Sequence, residues 1–191
     1  MWTTMKLATV ILGVLILSLH LGPMSCAAQQ IEVLTVSDRN LSLDMGPGFE
    51  LLRLDHNAST DGLFMYNLAL TDLNDTQRRF AYLSVITVYD EVMRGMDPST
   101  VAGILSGSIV AAAVADGARE MGNWTAVDGN GKTVTVHRLA SDDPAFQASQ
   151  GNVSTAAWEV DENVYVALLS LYDDQTTGQI VQTMGVGQAT G

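Results

Sequence analysis

The sequence predicts an α+β fold, an antiparallel sheet backed by one long central helix and a short C-terminal helix. Three observations predict it. Apolar runs of strand length recur, joined mostly by short turn-forming stretches such as Asp128-Gly129-Asn130-Gly131. One long uncharged stretch, Pro98 to Ala115, opens on Asp97-Pro98, a cap followed by a residue preset for the first helical turn. Strands outnumber helices and do not alternate with them, which disfavours a parallel sheet.

The elements follow in order. Gln29 to Gly48 is a lead-in whose Ile31 to Val36 has the alternation of an edge strand, and Gly46-Pro47-Gly48 breaks the chain before the domain proper. Phe49 to Leu54 and Leu63 to Leu70 read as a hairpin around the polar loop from His56 to Gly62. Phe80 to Tyr89 is apolar on both alternating faces, the pattern of a central strand.

The stretch from Pro98 to Ala115 is apolar all round, which predicts a buried helix. Its Ala, Gly and Ser content argues against a membrane span. Gly103 and Gly107 share one face, expected to approach the sheet at Phe80 to Tyr89. Two hairpins follow: Trp124–Val127 with Thr133–Leu139, and Ala156–Val160 with Val164–Tyr172 around Asp161-Glu162-Asn163. A helix from Asp174 to Met184 closes the domain. The organisation is thus a targeting segment over 1–28, a lead-in over 29–48, one α+β domain over 49–186 and a loose tail over 187–191.

The first 28 residues have the form of an export signal. Lys6 is the only charge before Glu32, Leu7 to Leu21 is an apolar run, Gly22-Pro23 ends it, and Ser25-Cys26-Ala27-Ala28 supplies small residues. The run is shorter than the ~20 residues of a spanning helix. Extended over residues 7–24 it is also compatible with an uncleaved signal anchor, so membrane attachment there stays open. Cys26 allows a third outcome, lipid attachment, supported only by the small Ser25 before it. It is the sole cysteine, so an intrachain disulfide and any multi-cysteine metal site are excluded.

Asparagine carries the strongest signal. Five of the eight asparagines begin Asn-x-Ser/Thr with no proline between: Asn40, Asn57, Asn74, Asn123 and Asn152. Serine and threonine frequencies predict about 1.3 such triplets from eight asparagines. The excess, behind an export signal, predicts a glycoprotein whose sites lie on solvated surface. The chain is also acidic, with 21 acidic and 9 basic side chains and a formal net charge of -12. That balance excludes a nucleic-acid partner, which needs a basic face. Lysine occurs only at Lys6 and Lys132. An export signal, sequons, acidity and scarce lysine together resemble the exported, glycosylated surface proteins of archaea. Over about residues 47 to 186, the order of strands, long helix, hairpins and short helix resembles the PsbP-like α/β sandwich. The ending Trp158-(x)6-Tyr165 followed by an apolar strand and a short helix is similar to small domains of exported prokaryotic proteins. These resemblances imply a fold and a location. No functional residue carries over from them.

No catalytic constellation emerges. His56 and His137 lack a second ligand at metal spacing. Asp128-Gly129-Asn130-Gly131 lacks the alternating ligands and distal glutamate of a calcium loop, and a hairpin turn accounts for it. The acidic pairs Asp90-Glu91, Asp142-Asp143, Asp161-Glu162 and Asp173-Asp174 fall at element ends, where carboxylates cap and solvate. No serine-nucleophile elbow, phosphate loop or dinucleotide fingerprint occurs, and no cofactor is implied. Trp124 and Trp158 are expected in the core. The expectation is therefore a non-catalytic exported or cell-surface domain acting by binding or surface coverage. The alternatives are a small-molecule or lipid carrier using a cleft between sheet and helix, and an envelope hydrolase using carboxylates.

Overall fold

The computed structural model describes residues 31–36, 39–44, 49–53, 58–60, 62–72, 75–77, 79–143, 146, 149 and 151–185. The expected targeting segment over 1–28 with Cys26, and His56, Asn57, Asn74 and residues 187–191, lie outside these residues. The strands are β1 (Ile31–Val36), β2 (Arg39–Asp44), β3 (Phe49–Arg53), β4 (Ala58–Thr60), β5 (Leu63–Asp72), β6 (Phe80–Val88), β7 (Arg119–Val127), β8 (Thr133–Ala140), β9 (Asn152–Asp161), β10 (Val164–Ser170) and β11 (Met184–Gly185). The helices are α1 (Glu91–Arg94), α2 (Pro98–Ala115) and α3 (Asp174–Thr183).

The fold is α+β, built on an antiparallel sheet ordered β3-β5-β6-β10-β9-β8-β7, with β4 paired to β5. The chain runs through β3, β5 and β6, and then α1 and α2 carry it to the far edge. It returns through β7, β8, β9 and β10, so that β10 closes against β6. β6 is interior, as its two apolar faces require.

A second, three-stranded sheet is ordered β1-β2-β11. The lead-in therefore contributes a hairpin, and β2 pairs with Met184 and Gly185 at the far end of the chain. The sequence reading reached only β1, because Arg39–Asp44 is short and half polar. β4, α1 and β11 escaped it for the same reason: two to four residues carry no measurable period.

Strand alternation divides the core in two. Leu68, Leu83, Val136, Trp158 and Val166 gather with Ile180, Val181 and Met184 of the C-terminal segment. Met65, Tyr82, Ile86, Tyr165 and Leu169 gather with Val101, Leu105 and Ile109 of α2. Tyr172 locks one corner: its hydroxyl accepts from Asp72 N–H at 2.8 Å and donates to the Arg79 carbonyl at 2.9 Å. Burial, with the charges of Asp75 and Asp72 adding to it, pushes this phenol up to about 12.

The helix starts are those the sequence announces. The Asp97 carboxylate accepts from the amides of Ser99 and Thr100, and Asp173 accepts from Thr176 N–H. The glycine face of α2 corrects the sequence reading. Gly103 and Gly107 are exposed, and a Cβ built on either would meet no atom within 4 Å. The helix rests on the sheet through Val101, Leu105 and Ile109, so it is not buried all round. Small residues made both faces look alike in composition; the buried positions are Val101, Leu105, Ser106, Ser108 and Ile109, while Val114 is exposed. By length and composition alone α2 is apolar enough to cross a membrane.

Candidate functional site

The outward glycine face of α2 opens a groove of about 690 Å³ between this helix and strands β8 and β9. Small-molecule sites span about 300–1,000 Å³, so the space suits a ligand of that class. Ala102, Gly103, Ser106 and Gly107 form the helix wall. Thr133, Thr135 and His137 line it from β8, and Ala157 and Glu159 from β9.

The floor has a structural cause. β8 and β9 are paired only where His137–Ala140 meet Asn152–Thr155. Toward the β7–β8 turn the pairing stops, and side chains span the strands instead. Lys132 Nζ donates to the Glu159 carbonyl at 3.4 Å and its carboxylate at 3.2 Å, and Asn130 Nδ2 donates to the Val160 carbonyl at 3.1 Å. The turn that positions Lys132 is tied down by Asp128, whose Oδ1 accepts from the amides of Asn130 and Lys132. Asp128-Gly129-Asn130-Gly131 is thus the hairpin turn the sequence indicated.

The electrostatics of the groove are largely settled internally. Glu159 is paired with Lys132, and His137 Nδ1 lies 3.1 Å from Glu120 Oε1. Asp97, at the helix start, is committed to capping. Burial and then the negative charges of Glu159 and Asp97 raise the Tyr165 phenol above its ordinary value. Two lining residues keep a buried polar atom without a partner, Ser106 Oγ and Trp158 Nε1. Ser106 is 7% exposed, and its Oγ has no hydrogen-bond partner in the protein. Its neighbour Ser108 behaves differently, donating back to the Ile104 carbonyl at 2.7 Å. A buried hydroxyl without a partner carries a desolvation cost of about 1–3 kcal/mol.

Among the described residues, no group of three or more His, Cys, Asp or Glu side chains comes together to hold a metal ion. The acidic pairs lie where the sequence placed them: Asp90 and Asp173 cap α1 and α3, and Asp161-Glu162 lies at the β9–β10 turn. Trp158 is buried, and Trp124 packs partly buried against the same cluster.

The sequons fall in different settings. Asn123 on β7 and Asn152 at the start of β9 are both exposed. Asn40 lies within β2, paired with Thr35. Asn123 stands directly opposite His137 and is therefore beside the groove. The sequence reading missed this link. The alternation of β8 was visible, but its register against β7 was not. No family model matches the chain, and neither the curated proteins nor the solved structures give a significant match.

Proposed function

We propose that this protein is an exported, non-catalytic domain, extracellular or at the cell surface, glycosylated on its sequons and acting by binding or by covering that surface. The observation that carries the reading is the excess of sequons, five against about 1.3 by chance, behind a signal-length apolar segment. The exposure of Asn123 and Asn152 supports it, since a hydrated glycan needs solvent at its attachment point. Export runs through the general secretory route, and the mature chain begins near Ala27 to Gln29. Retention of residues 7–24 as an anchor, or lipid on Cys26, would keep it at the membrane. The likeness to archaeal surface glycoproteins and to a PsbP-like sandwich belongs to this proposal, with α2 and α3 backing opposite faces of the sheet. N-terminal sequencing of native material tests it: a start at Ala27 to Gln29 fits cleavage, and Met1 on membrane-bound protein shows an anchor.

A second reading, a small-molecule or lipid carrier, is favoured by the groove between α2 and strands β8 and β9. Native mass spectrometry of freshly isolated protein tests it, because a carrier retains a non-covalent adduct that denaturation releases. The envelope hydrolase reading gains no such support: Asp97 and Glu159 both line the groove, but one caps a helix and the other holds Lys132.

A further inference from the structure

We infer that the sugar chain carried by Asn123 lies along the groove beneath α2, so that this cleft seats the protein's own glycan and not a diffusible ligand. The inference rests on the glycosylation proposed above and adds where one glycan goes.

The placement follows from strand alternation. Trp124 packs against the cluster that holds Ile180 and Val181, so its neighbours Asn123 and Thr125 face the opposite side, that of α2. The register agrees. Asn123 is directly opposite His137, and Thr125 is opposite Thr135; both partners line the groove. β7 is the edge strand, so no outer strand obstructs the attachment point. From β7 the floor at β8 and β9 is one to two strand spacings away, about 5–10 Å. The first sugars of a chain span that distance.

The chemistry of the cleft fits a neutral, hydroxyl-rich occupant. Its titratable groups already have partners, Lys132 pairing with Glu159, His137 Nδ1 meeting Glu120 and Asp97 capping α2, so nothing there calls for an ionic ligand. The hydroxyls of Thr133 and Thr135 offer donors and acceptors. Gly103 and Gly107 leave open space where side chains would stand. Tethering adds a thermodynamic reason. A sugar attached beside its seat acts at an effective concentration in the millimolar range, enough to occupy a weak site and exclude weak free ligands.

The test uses native glycosylated protein with three variants, Asn123→Gln, Thr125→Ala and Asn152→Gln. The first two delete the same sequon by different exposed positions, so a folding defect in one does not stop the test. Asn152 lies on the other face of the sheet, because Ala156 and Trp158, at even spacing from it, belong to the cluster on that side. Glycopeptide mass spectrometry reports occupancy at Asn123. The rate of diethylpyrocarbonate modification at His137, followed on its own peptide, reports whether the groove is covered. The expected result is an occupied Asn123, with His137 reacting several-fold more slowly in native protein and Asn152→Gln than in the other two variants. Equal His137 rates with Asn123 occupied overturn the seating and leave the glycosylation standing. An unoccupied Asn123 overturns both at this site.

Discussion

Replacing Gly103 and Gly107 with alanine should stabilise the protein. Glycine in a helix interior costs about 0.8–1.0 kcal/mol relative to alanine. Here nothing offsets a gain: both residues lie inside α2, neither has a positive φ, and a methyl group on either would meet no atom within 4 Å. The double variant should therefore gain about 1–2 kcal/mol. For a domain of this size, that raises Tm by roughly 2–4 °C per kcal/mol. Urea unfolding followed by tryptophan fluorescence reads the gain as a higher midpoint at unchanged slope. The close-packed arrangement expected from the sequence makes the opposite forecast, that Gly103→Leu overpacks at a cost of about 1–3 kcal/mol. A loss of stability in the double alanine variant would refute the outward glycine face, and with it the groove.

Three further outcomes follow from the core and the caps. Tyr172→Phe should cost about 1–3 kcal/mol in urea unfolding, because it strips the Asp72 amide and the Arg79 carbonyl of a shared partner. Gly129→Ala should lower the midpoint, since a Cβ there would stand 2.8 Å from the Met184 carbonyl that the Gly129 amide now contacts. Acid should destabilise through Asp75 and Asp173. Burial opposes the Asp75 charge, but Arg79 and the amides of Arg79 and Gln77 hold this carboxyl below its ordinary value; the Thr176 amide does the same for Asp173. Both groups are lowered in the folded state, so their stabilisation is complete above the unfolded carboxylate range of about 4. It is lost as pH falls through the lowered folded values, and urea midpoints measured from pH 6 to pH 2 should decline there.

The sequence showed the class of the fold because its longer elements announce themselves. Asp97-Pro98 starts α2, Asp128-Gly129 turns β7 into β8, and the two apolar faces of Phe80 to Val88 place β6 inside the sheet. It misjudged α2 because a run of Ala, Gly and Ser has no contrast between faces, so burial could not be read from period. The pairing of β2 with Met184 and Gly185 was invisible, since contacts between distant segments leave no local pattern. The groove was foreseen only as a cleft between sheet and helix. Its cause, the early end of the β8–β9 ladder at His137 and Thr155, is a matter of register. So is the meeting of Asn123 with His137.

The intact mass of the native protein tests the central claim most directly, because it reports signal removal and glycans in one number. The account predicts a polypeptide that begins near Ala27 to Gln29 and carries added saccharide mass, with glycopeptides at one or more of Asn40, Asn57, Asn74, Asn123 and Asn152. A mass equal to the unmodified chain from Met1 to Gly191 would contradict it.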